Sequence, residues 1–257
     1  MNKKVLIVCY YWPPAGGPGV QRWLKFVKYL PEFGIYPIVF VPENPSYAIV
    51  DEELLNEIPS GVSVIKNPIK EPYRFASLLS RKQTKTISSG ILPKEEKQSF
   101  IQRLFLYIRG NFFIPDARVS WVKPSVKRLR SFIEEERIDT IITTGPPHSL
   151  HLIGLKLKAL KNIKWIADFR DPWTGIDYFH LLPLTSFAKK KHFQQDQHAI
   201  RGGAPSWMTV CSPHSAACSW LQFIQHTLRI AGVHWLFWNE RSSCRPGIDL
   251  IDCRFSS

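Results

Sequence analysis

The chain has 257 residues, 44% of them apolar, and a formal net charge of +13. That length and apolar share fit one large globular domain or two small ones, with enough apolar mass for a real core. The charge suits an anionic partner and is uneven: residues 1–191 hold 29 basic and 17 acidic side chains, residues 192–257 only 5 and 4.

No apolar run reaches the roughly 18–20 residues of a spanning helix. "VLIVCYYW" is too short for the apolar region of a signal peptide and continues as a strand. The expected location is therefore the cytoplasm, or at most the inner face of a membrane. Of five cysteines only Cys9 lies before residue 192, and an odd total in such a compartment argues against a disulfide framework.

In chain order, residues 4–10 read as a first strand. A helix from about Val20 to Leu30 follows, with Val20, Trp23, Leu24, Val27 and Leu30 at helical spacing. "IYPIVFVP" predicts a second strand, with Pro37 suited only to its beginning. "DEELLNEI" predicts a short helix and "VSVIKN" a third strand. Residues 67–96 are polar and broken by proline, a long excursion. "KQSFIQRLFLYIRGNFF" (97–113) is a basic helix, and "SWVKPSVKRLRSFIEEER" another, with Pro124 near its start. "DTIITTG", "HSLHLIGLKLKAL" and "IKWIADF" then give strand, helix and strand. Strands alternating with helices indicate an α/β fold, a Rossmann-like doubly wound parallel sheet.

Composition changes after Lys191. Residues 192–257 have no lysine but hold four of the nine tryptophans, five of the eight histidines and four of the five cysteines. No sustained period runs through them. They read either as a tail or small unit with its own partner, or as a poorly folded out-of-frame product. Cys211, His214 and Cys218 have only loosely metal-like spacing, and no zinc site is expected.

Three stretches carry chemistry. In "PPAGGPG", Gly16, Gly17 and Gly19 follow a strand and precede a helix, so the backbone can approach a diphosphate or sugar hydroxyl. The loop is neither G-x-G-x-x-G nor a Walker A sequence. In "WIADFRDPWTG", Asp168, Arg170, Asp171 and Trp173 stand where a buried strand ends, the edge that lines the ligand crevice of such sheets. Arginine there can clamp phosphate, and an aspartate can accept a sugar hydroxyl or a proton. In "TTGPPHSLHLIG", Gly145 permits a turn and His148 opens a helix towards substrate, while His151 is expected to pack. The two histidines lack a local third metal ligand. Asp116, Arg118 and Trp121 cluster at a helix start, where capping and local pairing explain them as well as ligand contact. The helix 97–113, with Phe100, Leu104, Phe105, Ile108, Phe112 and Phe113 beside Lys97, Arg103 and Arg109, can pack on the sheet or lie on an anionic leaflet.

On "KVLIVCYYWPPAGGPGVQRWLKFVKYL", "IITTGPPHSLHLIGLKLK" and above all "WIADFRDPWTG", residues 3–191 resemble the N-terminal domain of the family 4 glycosyltransferases, in the branch with a Phe-Arg-Asp-Pro-Trp signature. The resemblance implies the GT-B architecture of two Rossmann-like domains across a cleft. It implies sugar transfer from a nucleotide-sugar to a glycan or lipid-linked acceptor, usually with retention and without an obligatory metal or cofactor. The N-terminal domain of such enzymes mainly holds the acceptor, with Gly16 and Gly17 beside donor diphosphate or acceptor. Arg170 and Asp171 occupy the strand end where many relatives keep a catalytic histidine, and His148 is the nearest substitute. No nucleic-acid partner is implied. Relatives grip the nucleotide with a C-terminal domain carrying two glutamates seven residues apart. Residues 192–257 have one glutamate, Glu240, and are too short for that domain, so the chain is expected to have little or no turnover alone.

Two other readings stay open on the residues. One is a non-catalytic module that docks an acceptor or a membrane. The other is a nicotinamide-dependent oxidoreductase in which Glu43, after the second strand, would hold a ribose; the missing G-x-G-x-x-G weighs against it.

Overall fold

The computed structural model describes residues 3–71, 100–160, 163–176 and 179–203. Strands β1 (Lys3–Val8), β2 (Ile35–Pro42), β3 (Ser63–Asn67), β4 (Thr140–Gly145) and β5 (Lys164–Phe169) form one parallel sheet in the order β3-β2-β1-β4-β5. The described helices are α1 (Pro18–Tyr29), α2 (Phe100–Phe112), α3 (Val122–Glu135), α4 (Ser149–Leu160) and α5 (Ser186–Gly202). This is the expected α/β, Rossmann-like fold. Residues 72–99 and 204–257, with Cys211, His214, Cys218 and Glu240, lie outside the described residues, as does Lys97.

The strand order explains the layering. From β1 the chain crosses through α1 to β2 in one direction, and from β4 through α4 to β5 in the other. Because such crossovers are right-handed, the two helices land on opposite faces. Strands covered on both faces are apolar almost throughout: Val5, Leu6, Ile7 and Val8 of β1 are all buried. Leu6 and Val8 join Leu129 and Ile133 of α3 and Leu150, Ile153 and Leu157 of α4 in one core. Alternation turns Val5 and Ile7 to the other face. α1 buries Val20, Trp23, Leu24, Phe26 and Val27, each worth about 1.5–3 kcal/mol relative to exposure.

Local details follow from the residues. Pro37 sits in the sheet before β2 begins to pair with β3 at Ile38, so a neighbour is present on one side only. The "DEELLNEI" helix is a 3-10 turn, Glu52–Glu57, capped by Asp51, whose side chain accepts from Glu53 N–H. Gly154 of α4 allows close approach: a Cβ there would overlap the indole of Trp165 on β5.

One helix was not expected. α5 crosses residue 191 without interruption, because its buried stripe is Ala188, His192, Asp196 and Ala199 rather than large apolar residues. A periodicity search for hydrophobic side chains passes over such a helix. Thr185 starts it by accepting from Ala188 N–H. Among the described residues no helix is long and apolar enough to cross a membrane.

Candidate functional site

The order of strands reverses between β1 and β4, so the crevice at their carboxyl ends is the switch point where ligands of such sheets bind. Three loops meet there. Gly17, with φ of 107°, starts α1 and accepts from Val20 and Gln21 N–H. That backbone angle favours glycine, and nothing lies within 4 Å of where its Cβ would point. At Gly19 a Cβ would overlap Arg170 Nη1, so the guanidinium lies against the first turn of α1. Arg170 N–H in turn donates to the Gly145 carbonyl at 3.3 Å. Arg170 thus touches both of the other motifs. Gly16 has a different setting: its Cβ position is closed by Ile49 and Asp51, and its N–H donates to the Ile49 carbonyl.

Asp168 is fully buried at the end of β5. Its Oδ2 pairs with Arg22 of α1 and accepts from Thr144 Oγ1 at 2.9 Å. Its Oδ1 is buried and has no hydrogen-bond partner among the described residues. Buried carboxylate oxygens are rarely left so. Arg170 and Asp171 are neighbours, Nη2 to Oδ2 at 3.4 Å, and both side chains are a third or more exposed. Such a pair is worth about 0–1 kcal/mol, so it opens readily to a ligand.

The two histidines have different settings. His151 is fully buried, its Nδ1 2.9 Å from Thr143 Oγ1, which also accepts from Trp165 Nε1. Burial holds its pKa well below the usual histidine range. His148 is half-buried, its ring stacked on Trp173 at 5.3 Å and 4°. Burial lowers its pKa too, against the opposing pull of Asp116, Asp196 and Asp171, so the imidazole is neutral near pH 7. His148 Nδ1 is buried without a partner among the described residues. Gly145 is needed beside them, since a Cβ there would come 2.5 Å from His151 Nε2 and 3.1 Å from His148 Nδ1.

Trp173 is buried rather than presented to the crevice. Its indole N–H points to His192 Nδ1 at 3.4 Å, and His192 Nε2 lies 3.2 Å from the Gly110 carbonyl of α2. Thr174 donates from N–H and Oγ1 to Asp196 of α5. α5 therefore pins the end of the signature loop. Asp116 accepts from Ser149 N–H and Oγ and from Arg118 N–H. It caps α4, the helix that carries His151, rather than the helix after it.

Arg22, Thr144, His192 and Asp196 were missed by sequence reasoning. Arg22 and Thr144 lie within the quoted stretches, but nothing in their local spacing marks them. His192 and Asp196 lie where composition suggested a tail. A second buried cluster joins Tyr10, Glu71 and Arg118. Among the described residues, no group of three or more His, Cys, Asp or Glu side chains could hold a metal ion.

No protein-family model matches this chain, and no curated protein does. Among solved structures it is similar to MurG of Acinetobacter baumannii at 10% identity and a TM-score of 0.35, over 75% of this chain and 39% of that one. This chain thus spans well under half of that protein, and fold and site stand on the chain's own geometry.

Proposed function

We propose that residues 3–203 form the acceptor side of a sugar-transferring enzyme of the family 4 glycosyltransferase kind, acting on a glycan or lipid-linked acceptor with a nucleotide-sugar as donor. The observation that carries this reading is Asp168 at the switch point, a buried carboxylate with one oxygen neutralised by Arg22 and the other unpartnered among the described residues. A sugar hydroxyl supplies the missing donor. Arg170, beside the first turn of α1, adds positive charge where a diphosphate would lie.

In the transfer, the acceptor hydroxyl attacks the anomeric carbon of the donor and the bond from that carbon to the diphosphate breaks. Arg170 stabilises the charge on the departing diphosphate. The proton of the hydroxyl passes to Asp171 or to the neutral imidazole of His148. The grip on the nucleotide lies, in the enzymes resembled, in a second domain that residues 3–203 do not include.

Calorimetric titration with nucleotide-sugars, short oligosaccharides and lipid-linked sugar phosphates tests this. Asp168→Asn is expected to weaken binding by about 10–100-fold, the worth of a hydrogen bond to a charged group. Equal binding by wild type and by Asp168→Asn would contradict it.

A second reading is a docking module without turnover. It is favoured by the Arg170–Asp171 pair standing where relatives keep a histidine. Sugar transfer by the purified chain at rates near those of two-domain enzymes would exclude it.

A further inference from the structure

Two buried polar atoms without partners belong to neighbouring histidines, and the proposed transfer uses only one of the rings. His151 is fully buried, and its Nδ1 lies 2.9 Å from Thr143 Oγ1. The same hydroxyl accepts from the indole N–H of Trp165 at 2.9 Å. His151 Nε2 and His148 Nδ1 are each buried without a partner among the described residues. Both approach one point, the position that a Cβ on Gly145 would take, at 2.5 Å and 3.1 Å. Each nitrogen is therefore within reach of the other, directly or through one water.

The protons available fix the direction of each contact. The indole N–H of Trp165 can only donate, so it takes one lone pair of Thr143 Oγ1. The hydroxyl proton of Thr143 then needs an acceptor, and among the described residues His151 Nδ1 is the only one in reach. Were Nδ1 to carry a proton, that buried hydroxyl proton would go unspent. His151 Nδ1 therefore accepts. Burial keeps this ring neutral, so its one proton sits on Nε2. That N–H meets the space beside Gly145, where His148 Nδ1 is the acceptor at hand. Burial keeps His148 neutral as well, with Arg170 assisting and Asp116, Asp196 and Asp171 opposing. A neutral ring whose Nδ1 accepts carries its proton on Nε2. Stacking on Trp173 at 5.3 Å and 4° fixes the plane of that ring.

We infer that Thr143 and His151 are positioning residues that hold His148 in the Nε2–H tautomer, which makes His148 a hydrogen-bond donor rather than a base. In that form Nε2 has no lone pair to receive a proton, and the lone pair of Nδ1 is held by His151. Of the two groups offered the hydroxyl proton, Asp171 is then the one that takes it. The proton moves to its carboxylate as the acceptor oxygen bonds to the anomeric carbon and the diphosphate leaves. This last step rests on the sugar-transfer reading, whereas the tautomer is measured with no ligand present.

The test is long-range proton–nitrogen correlation NMR of the full chain with isotope-labelled histidine, at about pH 7.5, above the ordinary histidine value. Loss of signals in His148→Gln and in His151→Gln assigns the two rings. In wild type each ring is expected to carry a proton on Nε2 and none on Nδ1. His151→Gln, whose amide nitrogen can stand in for Nε2–H, should keep His148 in that form. His151→Phe should release His148 to a mixture of tautomers, a change that lost packing alone would not produce. Thr143→Val keeps the shape, removes the hydroxyl and should let both rings mix. The thermal midpoint checks that each variant is folded. A proton on Nδ1 of wild-type His148 would overturn the inference, and so would a pure Nε2–H form of His148 in both folded His151→Phe and folded Thr143→Val. Inorganic pyrophosphate, added last, should move the His148 Nε2 signal and leave those of His151 in place. An unmoved signal would contradict the diphosphate site of the proposed function and leave the tautomer standing.

Discussion

Two buried ion pairs lie at the carboxyl edge of the same sheet, and they differ in how completely their carboxylates are satisfied. Glu71 uses both oxygens: Oε1 accepts from Tyr10 at 2.6 Å and pairs with Arg118 Nε at 3.2 Å, and Oε2 accepts from Ser46 N–H at 2.7 Å. Burial pushes the pKa of Tyr10 up, with Arg118 opposing, so its hydroxyl stays protonated and donates. Arg118 also lies over the Tyr10 ring at 4.7 Å. Asp168 places Arg22 and Thr144 on one oxygen and, among the described residues, nothing on the other. A carboxylate engaged on both oxygens fixes structure, whereas one with an open oxygen at a crevice invites a ligand. The first cluster ties the β1 loop to the segment before α3, and the second ties α1 to the ends of β4 and β5.

The largest effect expected from breaking this contrast is on stability. Arg118→Met leaves the Glu71 charge buried and should cost about 3–5 kcal/mol in urea unfolding, while Glu71→Met with Arg118→Met together should recover most of it. Neither change should alter the ligand preference of whatever chain remains folded. A reversed pattern, with binding lost and stability kept, would move Glu71 and Arg118 into the site.

Gly19→Ala sharpens the contrast from the other side. The added Cβ meets only the end of the flexible Arg170 side chain, so stability should change by no more than about 1 kcal/mol. Displacing the guanidinium should weaken binding of anionic ligands by about 10-fold, the loss of one charge-assisted contact. Titration of wild type and variant with a nucleoside diphosphate checks both halves, and unchanged affinity would remove Arg170 from the diphosphate site.

The smallest effect is on pH dependence. Burial lowers the pKa values of His148, His151 and His192 in the folded chain. Unfolding therefore takes up protons below about pH 6.5, the ordinary histidine value. Stability is complete above that pH and falls as pH drops through the lowered folded values. His192→Phe should shallow this slope, read as the midpoint of thermal unfolding at stepped pH. A slope of opposite sign would mean that these rings are charged in the fold.

Much of the fold was legible because β1, β2, β4 and β5 are buried on both faces and read as apolar runs between turn residues. β2 agrees with "IYPIVFVP" over its whole length. β1 ends two residues earlier than expected, at Val8, although Cys9 N–H still donates to the Phe40 carbonyl at 3.0 Å. The meeting of the glycine loop with Arg170 followed from strand ends and could be anticipated. The partners that make the site specific could not. Arg22 reaches Asp168 across 146 positions, and no local spacing carries that distance. α5 hid because polar side chains, His192 and Asp196, fill its buried face, so no hydrophobic period announces it. Trp173 carries the signature's most conspicuous ring, yet it is buried and anchors the loop to α5.

The most direct test of the claim that the incomplete carboxylate marks the site is hydrogen-exchange mass spectrometry of the full chain, with and without a saturating lipid-linked sugar phosphate or nucleotide-sugar. The account predicts slowed exchange at residues 16–22, 144–149 and 168–174 in wild type, and no such slowing in Asp168→Asn. Protection confined to other segments, or equal protection in the variant, would contradict it.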